Sequence, residues 1–143
     1  MSQGNVELLR AAVEASRAAT RENEWNGTLT GGLAELWDPE IEWDMSSHPL
    51  PDLAGVYQGR EAVLLWWGEW LAAWKTAQIE YELVDAGDRV VSLVDQRMRG
   101  RSTGIEVPSG KYAVVFTFRD GLIVRGTFYG RWSEALEAVG PAE

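Results

Sequence analysis

From Val6 to about Glu24 the small and apolar residues Leu9, Ala12, Val13, Ser16 and Ala19 return at steps of three and four, the stripe of an amphipathic helix. Asn26-Gly27 supplies its stop. Leu33, Leu36 and Trp37 mark a short second helix over Thr30 to Trp37, and Asp38-Pro39 ends it because proline disfavours helix in the residue before it. Ile41, Trp43 and Met45 then alternate with Glu42 and Asp44, the pattern of a short half-buried strand. A loop rich in Pro, Ser and Asp follows. Helical spacing returns from Arg60 to Lys75, where Val63, Leu64, Trp67, Trp70, Leu71 and Trp74 form one broad inward stripe with Trp66 at its margin.

Three long strand-like runs come next, Gln78 to Asp85, Arg89 to Ser102 and Lys111 to Arg119, separated by Gly87-Asp88 and by a loop containing Pro108, Ser109 and Gly110. Asp120-Gly121 tolerates the positive φ of a tight hairpin and leads into a strand from Leu122 to Arg131, so the four strands make an antiparallel meander. Ser133 is placed to cap a last short helix through Val139, stopped by Gly140 and Pro141. Helices first and a long sheet afterwards predict an α+β fold, with helices on one face of a sheet that bends around them. A chain of 143 residues is the size of one domain, expected here to run over 1–143. A cavity between helix and curved sheet is then the expected ligand site.

Composition narrows the partners. A net charge of -9 and a pI near 4.6 repel phosphate backbones and anionic lipid, so neither nucleic acid nor membrane is expected. The first residues lack the basic start and apolar run of a signal peptide, which makes the cytoplasm the expected location. The lack of cysteine removes disulfides, thiolate nucleophiles and thiolate metal sites, and a single histidine leaves out poly-His metal sites. Four of the eight tryptophans, Trp66, Trp67, Trp70 and Trp74, fall within nine residues. Trp43, Trp67, Trp70 and Trp74, each of which taken singly reads as core, would together make a flat aromatic wall, suited to a small, apolar, planar or terpenoid-like molecule.

The stretch LAELWDPEIEW, the helix entry GVYQGREAV, the turn DAGDRVVSLV, the hairpin FRDGLIVR and the closing SEALEAVG follow one another in an order that resembles the SnoaL-like polyketide cyclase group of the nuclear transport factor and ketosteroid isomerase superfamily. The resemblance covers almost the whole chain. It implies a cone-shaped, curved antiparallel sheet with a mixed edge, wrapped around three N-terminal-side helices, and a short C-terminal helix. It also implies a homodimer through the outer sheet face and no metal or organic cofactor. Isomerases, cyclases, epoxide hydrolases, dehydratases and proteins without known catalysis share this fold, so the fold does not settle the chemistry.

In the ketosteroid isomerases an Asp at the end of the first strand abstracts a proton, while a Tyr and a protonated Asp hold the enolate oxygen. A gapless comparison places Met45 at the base position, and the period of two turns Asp44 onto the opposite strand face. The matching oxyanion positions are Ala12 or Val13 and Val114. His48 has the only side chain with an unperturbed pKa near neutrality, which makes it the alternative base; as a lone loop histidine it also reads as a plain surface residue. Asp44 and His48 could pair only if the strand has ended by Ser46.

On the second long strand Val90, Ser92, Val94, Gln96 and Met98 share a face that the resemblance assigns to the pocket. Ser92 and Gln96 would there orient a ligand oxygen, or else satisfy each other or a buried water. Asp95, Arg97 and Arg99 form an outer ladder of charge. Asp95 with Arg97 resembles the Asp-Arg-Asp set of the epoxide hydrolases, but the third member is missing, its place falling near Thr127. Tyr112, Val114, Phe116 and Phe118 share a face of the third long strand, and Tyr112 and Tyr57 are each either a proton donor or a packing anchor.

The candidates for chemistry are thus Asp44, His48 and Tyr112. Those for lining the pocket are Trp43, Tyr57, Trp67, Trp70, Trp74, Ser92, Gln96, Val114, Phe116 and Phe128. They suit a cofactor-independent cyclase, isomerase or hydrolase using general acid-base catalysis. A non-catalytic binding domain and a dimerisation module filled by its own tryptophans stand beside it.

Overall fold

The computed structural model describes residues 2–22, 36–48, 54–72, 74–100 and 106–140, with side chains described at 4–14, 36–48, 54–66, 80–95 and 111–140. Among the described residues three helices, α1 (Ser2–Glu22), α2 (Arg60–Ala72) and α3 (Trp132–Ala138), accompany six strands. These are β1 (Trp37–Asp44), β2 (Val56–Gln58), β3 (Trp74–Ala86), β4 (Arg89–Gly100), β5 (Glu106–Arg119) and β6 (Leu122–Tyr129). They form one open sheet in the order β2-β1-β6-β5-β4-β3. The meander from β3 to β6 is antiparallel throughout, as its turns predict, and β1 joins it parallel to β6. The result is the expected α+β fold with a mixed sheet. None of the described helices is long and apolar enough to cross a membrane.

The departures from the sequence pattern have local causes. Trp37 does not end a helix; it opens β1 and pairs with Ile123, while the rest of the expected second helix, residues 30–35, lies outside the described residues, as does Asn26-Gly27. Asp38-Pro39 sits instead where the β1–β6 register shifts, a place that tolerates a residue with no N–H, and the Asp38 carboxylate accepts the Glu40 N–H at 2.8 Å. Trp74 likewise leaves the helix and starts β3 opposite Gly100. β5 begins at Glu106, ahead of the expected Lys111, because a bulge absorbs the turn-like residues: Gln96 pairs with Gly110 and Met98 with Val107, leaving Pro108 and Ser109 opposite Arg97. The short β2 lies in what reads as loop. Asp120 and Gly121, at φ 55° and 80°, make the expected hairpin. Ser133 falls inside the first turn of α3 and does not cap it; the extended residue at its start is Arg131.

The two sheet faces bury different clusters. Val6, Leu9 and Ala12 of α1 and Val63 and Trp66 of α2 cover the inner face, meeting Trp37, Ile41, Trp43, Met45, Val90, Val114, Phe116, Phe118, Ile123 and Phe128. Ser16 and Ala19, expected on the same stripe of α1, lie outside the described side chains. Trp66, expected at the helix margin, is only 5% exposed, whereas Leu65 beside it is 72% exposed. The helix therefore turns Val63 and Trp66, three residues apart, toward the sheet. On the outer face Val91, Leu93, Ala113 and Val115 pack under Ala135 of α3.

One position in the inner layer accepts no side chain at all. Gly126 lies beside Trp43 in the β1–β6 register, and a Cβ there would fall within the van der Waals envelope of the indole, against its Cζ3 and Cε3 atoms. Gly126→Ala is expected to lower unfolding stability by about 1–3 kcal/mol through overpacking. Urea denaturation measures that loss, and Trp43→Leu in the same chain should recover part of it.

Candidate functional site

The chain reverses sharply where β1 ends. The Asp44 carboxylate accepts the Ser46 hydroxyl at 2.6 Å and the Ser46 N–H at 3.1 Å, and His48 N–H donates to Met45 O at 2.9 Å. Met45 N–H donates to Gly55 O at 2.7 Å, which ties this turn to the approach to β2. The strand has thus ended before Ser46. The reversal carries the His48 ring back over the inner face rather than out into solvent, leaving it 8% exposed.

There the imidazole enters a layer of rings. Its centroid lies 5.8 Å from Trp66, edge-on, and 4.9 Å from Phe128. Phe128 in turn stacks on Tyr112 at 5.3 Å and 24°. Trp66 meets Trp43 edge-on at 5.8 Å, and Trp43 reaches Phe116 at 6.1 Å and Trp37 at 6.5 Å. His48 and Tyr112, sixty-four residues apart in sequence, therefore rest on the same Phe128 ring. Desolvation alone pushes the Tyr112 phenol well above the ordinary tyrosine range, so it is a protonated donor at any working pH. Ser92, buried at 8% exposure, pairs with Val114 on the neighbouring strand and adds a hydroxyl to this face.

Asp44 lies elsewhere. It alternates with the buried Trp43 and Met45, and Arg125 Nη2 approaches it at 3.6 Å and Glu42 at 3.3 Å. The Ser46 hydroxyl, opposed by partial burial and assisted by the Ser46 N–H and the Arg125 guanidinium, holds its carboxyl below the usual carboxylate value. That geometry describes a structural anion rather than a group poised beside Phe128. The Tyr57 hydroxyl donates to Ala54 O at 3.4 Å, and Tyr57 flanks Trp43 in the β1–β2 register. Val114 and Phe116 are buried in the core cluster of the inner face. The backbones of Trp67, Trp70, Trp74 and Gln96 belong to α2, β3 and β4, and their side chains lie outside the described residues. Pattern reading underrated Trp66 and overlooked Gly126. A lone glycine inside the strand LIVRGTFY was the available signal of a close approach.

A family model described as the SnoaL-like domain matches residues 13–126. The chain belongs to the SnoaL-like family. No curated protein matches it. Among solved structures, this SnoaL-like chain is similar to a putative SnoaL-like polyketide cyclase from Jannaschia sp. CCS1, at 15% identity and a TM-score of 0.72 over 99% of this chain and 95% of that one. TerC, co-crystallised with polyporic acid, is 21% identical with a TM-score of 0.62 over 96% of this chain and 99% of that one. A protein with a ketosteroid isomerase-like fold from Catenulispora acidiphila, in complex with trimethylamine, is 19% identical with a TM-score of 0.63 over 92% and 93% of the two chains. These similarities establish the fold that the SnoaL-like chain shares with them.

Because the Asp44 carboxyl is held below the ordinary aspartate value, the native state binds fewer protons than the unfolded chain around that pH. Its contribution to stability is complete above the unfolded value and is lost as pH falls through the folded one. Denaturation curves of Asp44→Asn and wild type should therefore converge at the acid end and separate to a constant difference toward neutrality.

Proposed function

We propose that this chain binds one small, planar, largely apolar molecule against the aromatic layer of Trp43, Trp66 and Phe128 and transforms it without a cofactor. His48 acts as general base, and Tyr112 donates a hydrogen bond to the substrate oxygen. The observation that carries this reading is the convergence of the His48 and Tyr112 rings on Phe128, at 4.9 and 5.3 Å. A neutral imidazole takes a proton from carbon next to a carbonyl, and the electron pair moves onto the oxygen. A phenol kept protonated by burial stabilises that developing oxyanion, and the low-dielectric surroundings strengthen the bond. Returning the proton at another carbon gives an isomerase; attack of the enolate on a second carbonyl gives a cyclase. The polyporic acid held by TerC supports a small organic ligand for this fold. The reading includes a cytoplasmic location and a homodimer through the outer sheet face.

A non-catalytic binding role is the second reading, favoured by the identity of two residues. By the resemblance, Met45, which is fully buried, and Val114 stand near positions that carry the base and an oxygen-binding group in the ketosteroid isomerases.

Intrinsic tryptophan fluorescence, titrated with steroids, aromatic polyketides, terpene epoxides and fatty acids, separates the two. Saturable quenching is expected for a planar member of this panel. His48→Gln and Tyr112→Phe should keep that binding while lowering turnover about 100-fold or more. Saturable binding with no turnover in wild type supports the binding role, and no saturable quenching by any class overturns both.

A further inference from the structure

Val94 and Tyr112 face each other across β4 and β5, and their main-chain oxygens share one donor. The Trp132 indole Nε1 of α3 lies 2.9 Å from Tyr112 O and 3.2 Å from Val94 O. The indole arrives from the outer face, where α3 packs on Val91, Leu93, Ala113 and Val115. The Tyr112 side chain works on the other face, against Phe128. Carbonyl and side chain hang from the same Cα, so a bond that fixes the carbonyl from behind also fixes the origin of the phenol arm.

The sheet has a local need for such a clamp. Two residues beyond this pair the β4–β5 register slips at the bulge between Gln96 and Met98, and regular ladder bonding no longer determines the strand's course there. α3 is fastened at both ends of its contact. The Lys111 ammonium stands 5.4 Å from the Trp132 ring centroid, and the Arg89 guanidinium donates to Ala138 O at 3.3 Å and Val139 O at 3.4 Å. The helix is therefore held where its indole can reach both carbonyls.

We propose that Trp132 is a positioning residue for Tyr112, its indole N–H fixing from the outer face the strand segment that presents the phenol on the inner face. The functional meaning of the clamp rests on the role given to Tyr112 above; the clamp itself rests on the two hydrogen bonds. Phenylalanine at 132 would fill similar space without a donor, removing the indole hydrogen bond from each carbonyl.

Nuclear magnetic resonance of the unliganded full chain, labelled with carbon-13 at backbone carbonyls and tyrosine rings, tests this. Trp132→Phe is expected to shift the Val94 and Tyr112 carbonyl resonances, to move the Tyr112 ring resonances and to bring its phenol titration down toward the ordinary value of about 10. Arg89→Gln, which loosens the far end of α3 but keeps the indole donor, should lower the melting temperature and move the Tyr112 signals in the same direction by less than Trp132→Phe does. Unchanged Tyr112 signals in folded Trp132→Phe would reduce Trp132 to a packing residue and overturn the proposal. Should that variant fail to fold, hydrogen exchange of the wild-type Trp132 indole N–H decides: slow exchange supports the clamp, and exchange at the rate of a free indole contradicts it. No ligand enters these measurements, so they stand whether or not the chain proves catalytic.

Discussion

The contact between the Trp43 indole and the bare backbone of Gly126 is the constraint on which the rest of the inner layer depends. β1 and β6 run parallel and adjacent, and the indole can lie across the join only because β6 offers no side chain there. Once seated, Trp43 sets the places of Trp37, Phe116 and Trp66 around it. Trp66 gives the edge against which His48 packs, and His48 meets Phe128, which carries Tyr112. A single run of ring contacts thus links the middle of the core to the two polar side chains that the proposed chemistry uses. Rigid aromatic packing suits a site of this kind, since misplacing an acid or base by an ångström is costly to catalysis.

The two faces of the sheet divide the work. The inner face is aromatic and apolar, with His48, Tyr112 and Ser92 as its polar points. The outer face holds an aliphatic patch under α3 and, along β1 and β6, the exposed pairing of Arg125 with Glu42 and Asp44. Such half-exposed pairs contribute little to stability, so their effect is mainly to orient the end of β1, where Asp44 also anchors the turn that delivers His48. Asp44 therefore serves the site from behind, through the conformation of the turn.

Much of this was legible in the residues because each signal was local. Alternation along β1 and β4 to β6, the Asp120-Gly121 hairpin and the stripe of α1 all reflect the geometry of one element, and the chain order carried the family resemblance. The face assignment of Asp44 followed from the period of two alone. What escaped the pattern depended on partners distant in sequence. Pro108 reads as a loop until the bulge opposite Arg97 makes room for it, and Trp37 reads as the end of a helix until Ile123 is beside it. Trp66 reads as marginal because the tryptophans around it all follow helical spacing, and only the position of the sheet decides which of them turn inward. The packing of both His48 and Tyr112 on Phe128 had no sequence signal, because it joins a turn and a ring that belong to different ends of the chain.

The central claim is that His48 and Tyr112 share one site on Phe128. Aromatic-ring resonance spectra recorded while a planar ligand such as polyporic acid is added test it most directly. The His48, Phe128 and Tyr112 ring signals are expected to move together along one saturation curve, while Tyr129 and Trp132 on the other face respond far less. Saturable shifts confined to the outer face, or His48 and Tyr112 responding with different affinities, would contradict it.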